Sequence, residues 1–206
     1  ERDSLLARLR ETVVGGDALS SLSPGSFALK PEVSTIVLTG ATDGLGKAAA
    51  SFLSAQGFPV VLCARDTAKG ERVAEELRAA SPGGGARVSV VACDLSSVVS
   101  VEEAASQVAA AAAELGAPLR GLVLNAGVWP GKLQTTEDGL ELALQANHVG
   151  HWQLADRLLP ELEQGLAAGE EARVVTVSSS AHAFASEAGT DDPLWAARPL
   201  DNSENY

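Results

Sequence analysis

Methionine is absent from this 206-residue sequence, tyrosine occurs once, at Tyr206, and aromatic residues make up only 4%. A chain without an initiating methionine points to a processed or excised polypeptide, which leaves room for a lost address segment. Basic residues are also scarce, 15 Lys and Arg against 27 Asp and Glu, for a formal charge of −12. Such a surface repels phosphodiester backbones and anionic membranes at long range, so nucleic acid is not an expected partner. No run reaches the roughly 18 apolar residues of a bilayer span, and no transmembrane segment is expected. The two cysteines, Cys63 and Cys93, sit in apolar runs without a CxxC spacing or a histidine at ligand distance. They read as buried, reduced thiols of an intracellular protein rather than as metal ligands, and no metal is expected. The start, Glu1-Arg2-Asp3, has neither a basic-then-apolar signal pattern nor the acid-poor character of a transit peptide. A soluble protein of the cytoplasm or of an organelle interior is the expectation.

Against these absences, 46% hydrophobic content in a chain of this length can fill the core of one domain. Residues 1 to 30 read as an appendage: Leu5, Leu6, Leu9 and Val13 form a short amphipathic stripe, followed by a Gly/Ser/Pro-rich linker from Gly15 to Pro24. From residue 31 to 206, apolar runs alternate with helical patterns. Strands are expected at Thr35 to Leu38, Pro59 to Ala64, Val88 to Ala92, Gly121 to Leu124 and Arg173 to Ser178. Between them lie helical stretches near Thr67 to Ala80, an Ala-rich one with Val101, Ala104, Ala105, Val108, Ala112 and Leu115, and a long one from about Thr136 to Ala168. Pro160 should kink or bound the last of these. Alternating βα units imply a doubly wound α/β fold of the Rossmann type, a parallel sheet with helices on both faces.

The most informative segment is Thr39-Gly40-Ala41-Thr42-Asp43-Gly44-Leu45-Gly46, placed directly after the first strand. It opens into a helical repeat whose stripe, Leu45, Ala48, Ala49, Phe52 and Leu53, is expected to lie on the sheet. Strand, glycine turn and helix together bind a pyrophosphate. Glycines let the backbone approach the ligand, and the free amides of the new helix face its charge. A nucleoside triphosphate loop, GxxxxGK[ST], fails because Ala48 follows Lys47 and Ala41 stands where its first glycine would be.

The spacing TGxxxGxG resembles the cofactor signature of short-chain dehydrogenases/reductases. The resemblance extends to Asp94-Leu95 after the third strand, to Asn125-Ala126-Gly127 after the fourth, and to the serine run after the fifth, spanning residues 35 to 184. Asn147-His148-Val149-Gly150-His151 resembles the NHxGH segment of the retinol-dehydrogenase-like branch. By this resemblance Gly40, Thr42, Asp43, Gly44, Leu45 and Gly46 would hold the dinucleotide phosphates. Asp94 and Leu95 would lie against the adenine, with Asp94 or Ser96 also able to cap the next helix. Asn125, Ala126 and Gly127 would border the cofactor. After the second strand, Ala64 stands where an NAD enzyme has a ribose-binding carboxylate, and the adjacent Arg65 can pair with a 2′-phosphate. NADP is therefore expected over NAD. His148 and His151 read as packing or hydrogen-bonding residues, not as a metal pair.

The resemblance also implies catalytic roles. Ser179 would hydrogen-bond the substrate carbonyl oxygen, and Asn147 would anchor a water in a proton relay. A Ser179–His182 hydrolase reading lacks a GxSxG elbow. The family's tyrosine is followed four residues later by a lysine that lowers its pKa. No such lysine can follow Tyr206 within this sequence, so Tyr206 is either that tyrosine or one that precedes it. The expected function is an NADP-dependent oxidoreductase moving hydride between nicotinamide and a carbonyl or alcohol compound, with negligible turnover by these 206 residues alone. The alternative is a non-catalytic nucleotide-binding or scaffold protein that retains the fold. A homodimer through the Ala104–Leu115 and Asn147–Leu159 helices is a further expectation of the family pattern.

Overall fold

The structure, a computed structural model, describes residues 29–81, 83, 85–167 and 171–179. The amphipathic stripe of residues 1 to 14, His182 and Tyr206 lie outside them.

Five strands form one parallel sheet in the order β3-β2-β1-β4-β5: β1 Thr35–Thr39, β2 Val60–Ala64, β3 Val88–Ala92, β4 Leu119–Leu124 and β5 Arg173–Thr176. The order reverses at β1, where the chain steps first outward to β2 and β3 and then back across to β4. Helices α1 (Gly44–Ala55), α2 (Thr67–Ala80), α3 (Val98–Glu114) and α4 (Gly150–Ala167) connect the strands.

Strand alternation assigns the helices to faces, since successive side chains point to opposite sides. Val37, Val61, Val91 and Leu122 enter a core shared with Val101, Ala104 and Val108 of α3 and with Leu154, Leu158 and Leu162 of α4. Ile36, Leu38, Val60 and Leu62 enter the opposite core, with Ala50 of α1 and Val73, Ala74 and Leu77 of α2. The doubly wound layering expected from the sequence is therefore present. Each buried leucine of α4 contributes about 2 kcal/mol relative to exposure, so this stripe alone fixes α4 to the sheet. The helix runs on through Pro160.

Two sequence readings need correction. The stripe of α1 is not the one expected: Leu45 is 78% and Phe52 66% exposed, while Gly46, Ala50 and Ser54 are buried, with Ala49 and Leu53 packed beside them. Small residues win the sheet-facing positions because they let the helix start close to the turn it grows from. The long helix does not begin at Thr136. Residues 135 to 141 make a hairpin-like turn, with a bridge between Thr135 and Glu141, Gly139 at φ +80°, and Gly139 N–H donating to the Thr136 carbonyl at 3.0 Å. Asp138 turns outward to accept the Val98 N–H at the start of α3 at 2.9 Å, a contact a helix at this position would forbid. Helical backbone starts only at Leu142–Leu144, passes through a π-helical segment Gln145–Val149, and then becomes α4.

No helix among the described residues is long and apolar enough to cross a membrane.

Candidate functional site

A cleft of about 630 Å³ lies at the carboxyl ends of the strands, where the strand order reverses. That is the position at which open α/β sheets take ligands. All residues expected at the cofactor line it: Gly40 and Thr42 to Gly46 after β1, Arg65 after β2, Asp94 and Leu95 after β3, and Asn125 to Gly127 after β4.

The glycine turn is shaped by what its side chains would strike. A Cβ on Gly46 would lie 2.2 Å from the Gly40 carbonyl oxygen and 2.5 Å from Asn125 Nδ2, and one on Gly40 would lie 2.7 Å from Ala126 Cα. Gly40 and Gly44 also adopt φ of +64° and +47°, the left-handed region that glycine enters without strain. The backbone of the turn is thereby pressed against the Asn125–Ala126 turn, and both turns line the cleft. Asn125 ties the two turns together, its side-chain amide donating to the carbonyls of Thr39 at 3.0 Å and Gly40 at 3.4 Å. The Thr39 hydroxyl accepts the N–H groups of Asn125 at 2.9 Å and Ala126 at 3.0 Å.

At the far end of the cleft, Arg65 is exposed and both nearby acids are engaged. Asp66 caps α2 by accepting the Lys69 N–H at 2.9 Å, and Asp43 forms an ion pair with Lys69 Nζ. Lys69, on the first turn of α2, is a cleft residue that the sequence reading missed. It lies outside every motif, but its place four residues after Arg65, on the first turn of the helix, was a usable signal.

Asp94 does not cap a helix. Its carboxylate accepts the N–H and the hydroxyl of Ser96 at 2.9 and 2.6 Å, and the cap of α3 is Ser97, which accepts the Ser100 N–H. Among the residues that line the cleft, Cys63 has its thiol pushed well above the ordinary range by a hydrogen bond it donates to Cys93, by burial and by the neighbouring Cys93 charge, so it stays protonated.

The two expected catalytic residues do not line the cleft. Asn147 stands behind its wall, on the π-helical segment. Its Oδ1 accepts the Val128 N–H at 2.8 Å and its Nδ2 donates to the Val128 carbonyl at 2.9 Å, pairing with that residue as a strand would. Ser179 follows β5 two positions after Val177, which does line the cleft and whose N–H bonds the Leu124 carbonyl at 2.9 Å. His148 is exposed and His151 is 5% exposed. His151 is hydrogen-bonded at both nitrogens, to Thr39 at 2.8 Å and to the Asn147 carbonyl at 3.0 Å. No cluster of three metal-ligating side chains occurs among the described residues.

Comparison with known proteins gives concordant results. A family model described as short chain dehydrogenase matches residues 34–190. Retinol dehydrogenase 13 from Homo sapiens is 31% identical over 199 residues, covering 96% of this chain and 54% of that protein. Among solved structures, a metagenomic short-chain oxidoreductase in complex with NADP superposes with a TM-score of 0.57 at 31% identity, covering 72% of this chain and 64% of the other. A short chain dehydrogenase/reductase from Burkholderia phymatum in complex with NAD gives 0.60 at 28% identity, covering 75% and 52%. The chain spans about half the length of the curated relatives it matches.

Proposed function

The chain belongs to the short-chain dehydrogenase family, and on that premise we propose that it forms the dinucleotide-binding part of an NADP-dependent oxidoreductase acting on a carbonyl or alcohol substrate. The observation that carries the reading is the glycine turn at the mouth of a helix, where a Cβ at Gly46 or Gly40 would collide with the chain's own backbone and displace the turn from its place in the cleft lining. This is a cradle that fits a dinucleotide. When bound, nicotinamide supplies the hydride chemistry. The residues of this chain bind and orient. The amides of the turn take the phosphates, Asp94 and Leu95 flank the adenine, and the turn Asn125–Gly127 borders the inner half of the cleft. Ser179 donates its hydroxyl hydrogen to the substrate oxygen, and Asn147, whose two side-chain groups are taken up by Val128, holds a relay water through lone pairs left on its oxygens.

The preference for NADP rests on the charges at the adenosine end. Ala64 offers no carboxylate to a ribose hydroxyl, Arg65 is exposed, and Lys69 neutralises Asp43, so the region is not the acidic surface that the two aspartates alone would make. A solved relative in complex with NAD shows that the fold by itself does not set this choice. Titration of the chain with NADPH and NADH, followed by nicotinamide fluorescence, tests it. NADPH should bind at least about tenfold more tightly, and Arg65→Ala should erase most of that gap, since a charge-assisted hydrogen bond contributes about 1.5–3 kcal/mol. Equal or tighter binding of NADH would sink the NADP assignment.

A further inference from the structure

The buried histidine of α4 has no part in the reading above, yet it ends on the strand that carries the glycine turn. The Thr39 hydroxyl has one hydrogen and two lone pairs. Asn125 and Ala126 can only donate to it through their backbone N–H groups, at 2.9 and 3.0 Å, so both lone pairs are used. The single hydrogen then goes to His151 Nε2 at 2.8 Å rather than to the Val123 carbonyl at 3.5 Å. At the other side of the ring, the Asn147 carbonyl can only accept, so Nδ1 carries the proton. Both ends fix the same state, a neutral imidazole protonated at Nδ1. The network joins β1, the turn after β4 and the π-helical segment that holds Asn147.

We propose that His151 is a positioning residue of the dinucleotide site: by taking the Thr39 hydroxyl hydrogen, it directs the hydroxyl lone pairs onto the Asn125 and Ala126 amides and holds that turn against Gly40. This rests on the dinucleotide reading for its functional consequence, but its geometry stands in the chain without ligand. Removing the acceptor frees the hydroxyl to rotate toward Val123, which leaves one amide of the turn unpaired and lets the wall beside Gly40 loosen. An acceptor of another kind at the same place preserves the arrangement.

The experiment uses the whole chain labelled with nitrogen-15. Long-range proton–nitrogen spectra near neutral pH should show His151 with Nδ1 protonated and Nε2 as acceptor. In His151→Phe, the Asn125 and Ala126 amides should exchange with solvent about tenfold faster and NADPH should bind about tenfold more weakly, as expected for one lost hydrogen bond. His151→Gln, which keeps an acceptor, should restore both to within about threefold of the parent. An Nε2-protonated ring in the parent chain overturns the proposal, and so does a folded His151→Phe chain with unchanged amides and unchanged NADPH affinity. If phenylalanine prevents folding, the parent spectrum and the glutamine variant still decide. A parent chain that binds neither NADPH nor NADH removes the dinucleotide reading, while the tautomer and the amide exchange continue to report on His151.

Discussion

The turns after β1 and β4 press against each other at one end of the sheet, but each is built by a different device. The first works by absence of side chains, since Gly46 and Gly40 leave space that backbone atoms of Gly40 and Ala126 occupy. The second works by presence of polar groups: the Asn125 amide reaches across to Thr39 and Gly40, and its backbone is held by a hydroxyl. Gly127 belongs to the second turn by position only, because a Cβ there would meet nothing nearer than Asn147 Oδ1 at 3.9 Å. Two glycine-bearing motifs of similar appearance thus carry different requirements, one for room and the other for hydrogen bonds.

Gly46→Ala should break the first device and have the largest effect. The obstructing atom is a backbone oxygen that cannot move aside, so we expect a loss of about 3 kcal/mol in stability, at the upper end of overpacking costs, and NADPH binding below detection. Chemical denaturation and fluorescence titration measure the two. Asn125→Ala should be milder, with about 1–2 kcal/mol lost as the Thr39 and Gly40 carbonyls lose a donor and NADPH affinity down about tenfold.

A third test is acidification. Burial drives His151 below the ordinary imidazole value of 6.5, the Asn147 carbonyl opposes that fall, and the charge of His148 adds to it. Its contacts on β1 and the β4 turn, Thr39, Asn125 and Ala126, are uncharged. The unfolded chain therefore takes up a proton before the folded one, so the stabilisation is complete above about 6.5 and declines as the pH falls below that value. Thermal melts should be flat above this point and descend below it, with a shallower descent in His151→Gln. Glu102 and Asp138 are depressed from 4.5 and 3.8 by the Arg157 side chain and the Val98 N–H respectively, so their contributions are lost only at lower pH and leave this window clear. The smallest effect on stability belongs to Gly127→Ala, which in chemical denaturation should unfold within about 0.5 kcal/mol of the parent, since its Cβ would make only an ordinary contact with Asn147 Oδ1 at 3.9 Å.

The five strands and the layering were legible because they depend on alternation and helical period, both properties of short stretches, and the expected cleft residues were legible through the glycine spacing and the family resemblance that it opened. The face of α1 was not. Hydrophobicity favoured Leu45 and Phe52, but closeness to the glycine turn selected Gly46, Ala50 and Ser54, and that closeness arises from contacts with Asn125 far along the chain. The start of α4 was misread for a related reason. Thr136 gains a bond to Gln145, and Asp138 gains bonds to Gln145 and Val98, that no helical period records. Lys69 and His151 escaped notice as site residues because their partners, Asp43 and Thr39, lie in another βα unit.

The π-helical segment has a consequence for anyone altering this chain. Gly150 N–H bonds the Gln145 carbonyl five residues back, where a regular helix would use four, so one residue is accommodated without advancing the helix by a full step. Winding the same residues, Gln145 to Val149, as a regular α-helix would advance everything before them by about 100° relative to everything after. Were the glycine to stay against Leu95, where a Cβ would come within 2.3 Å of the carbonyl oxygen, Asn147 would swing out of line with Val128. Were Asn147 to stay, Leu154, Leu158 and Leu162 would rotate off the sheet. The segment acts as a phase adjuster that lets one continuous helical run satisfy two surfaces whose angular demands do not match.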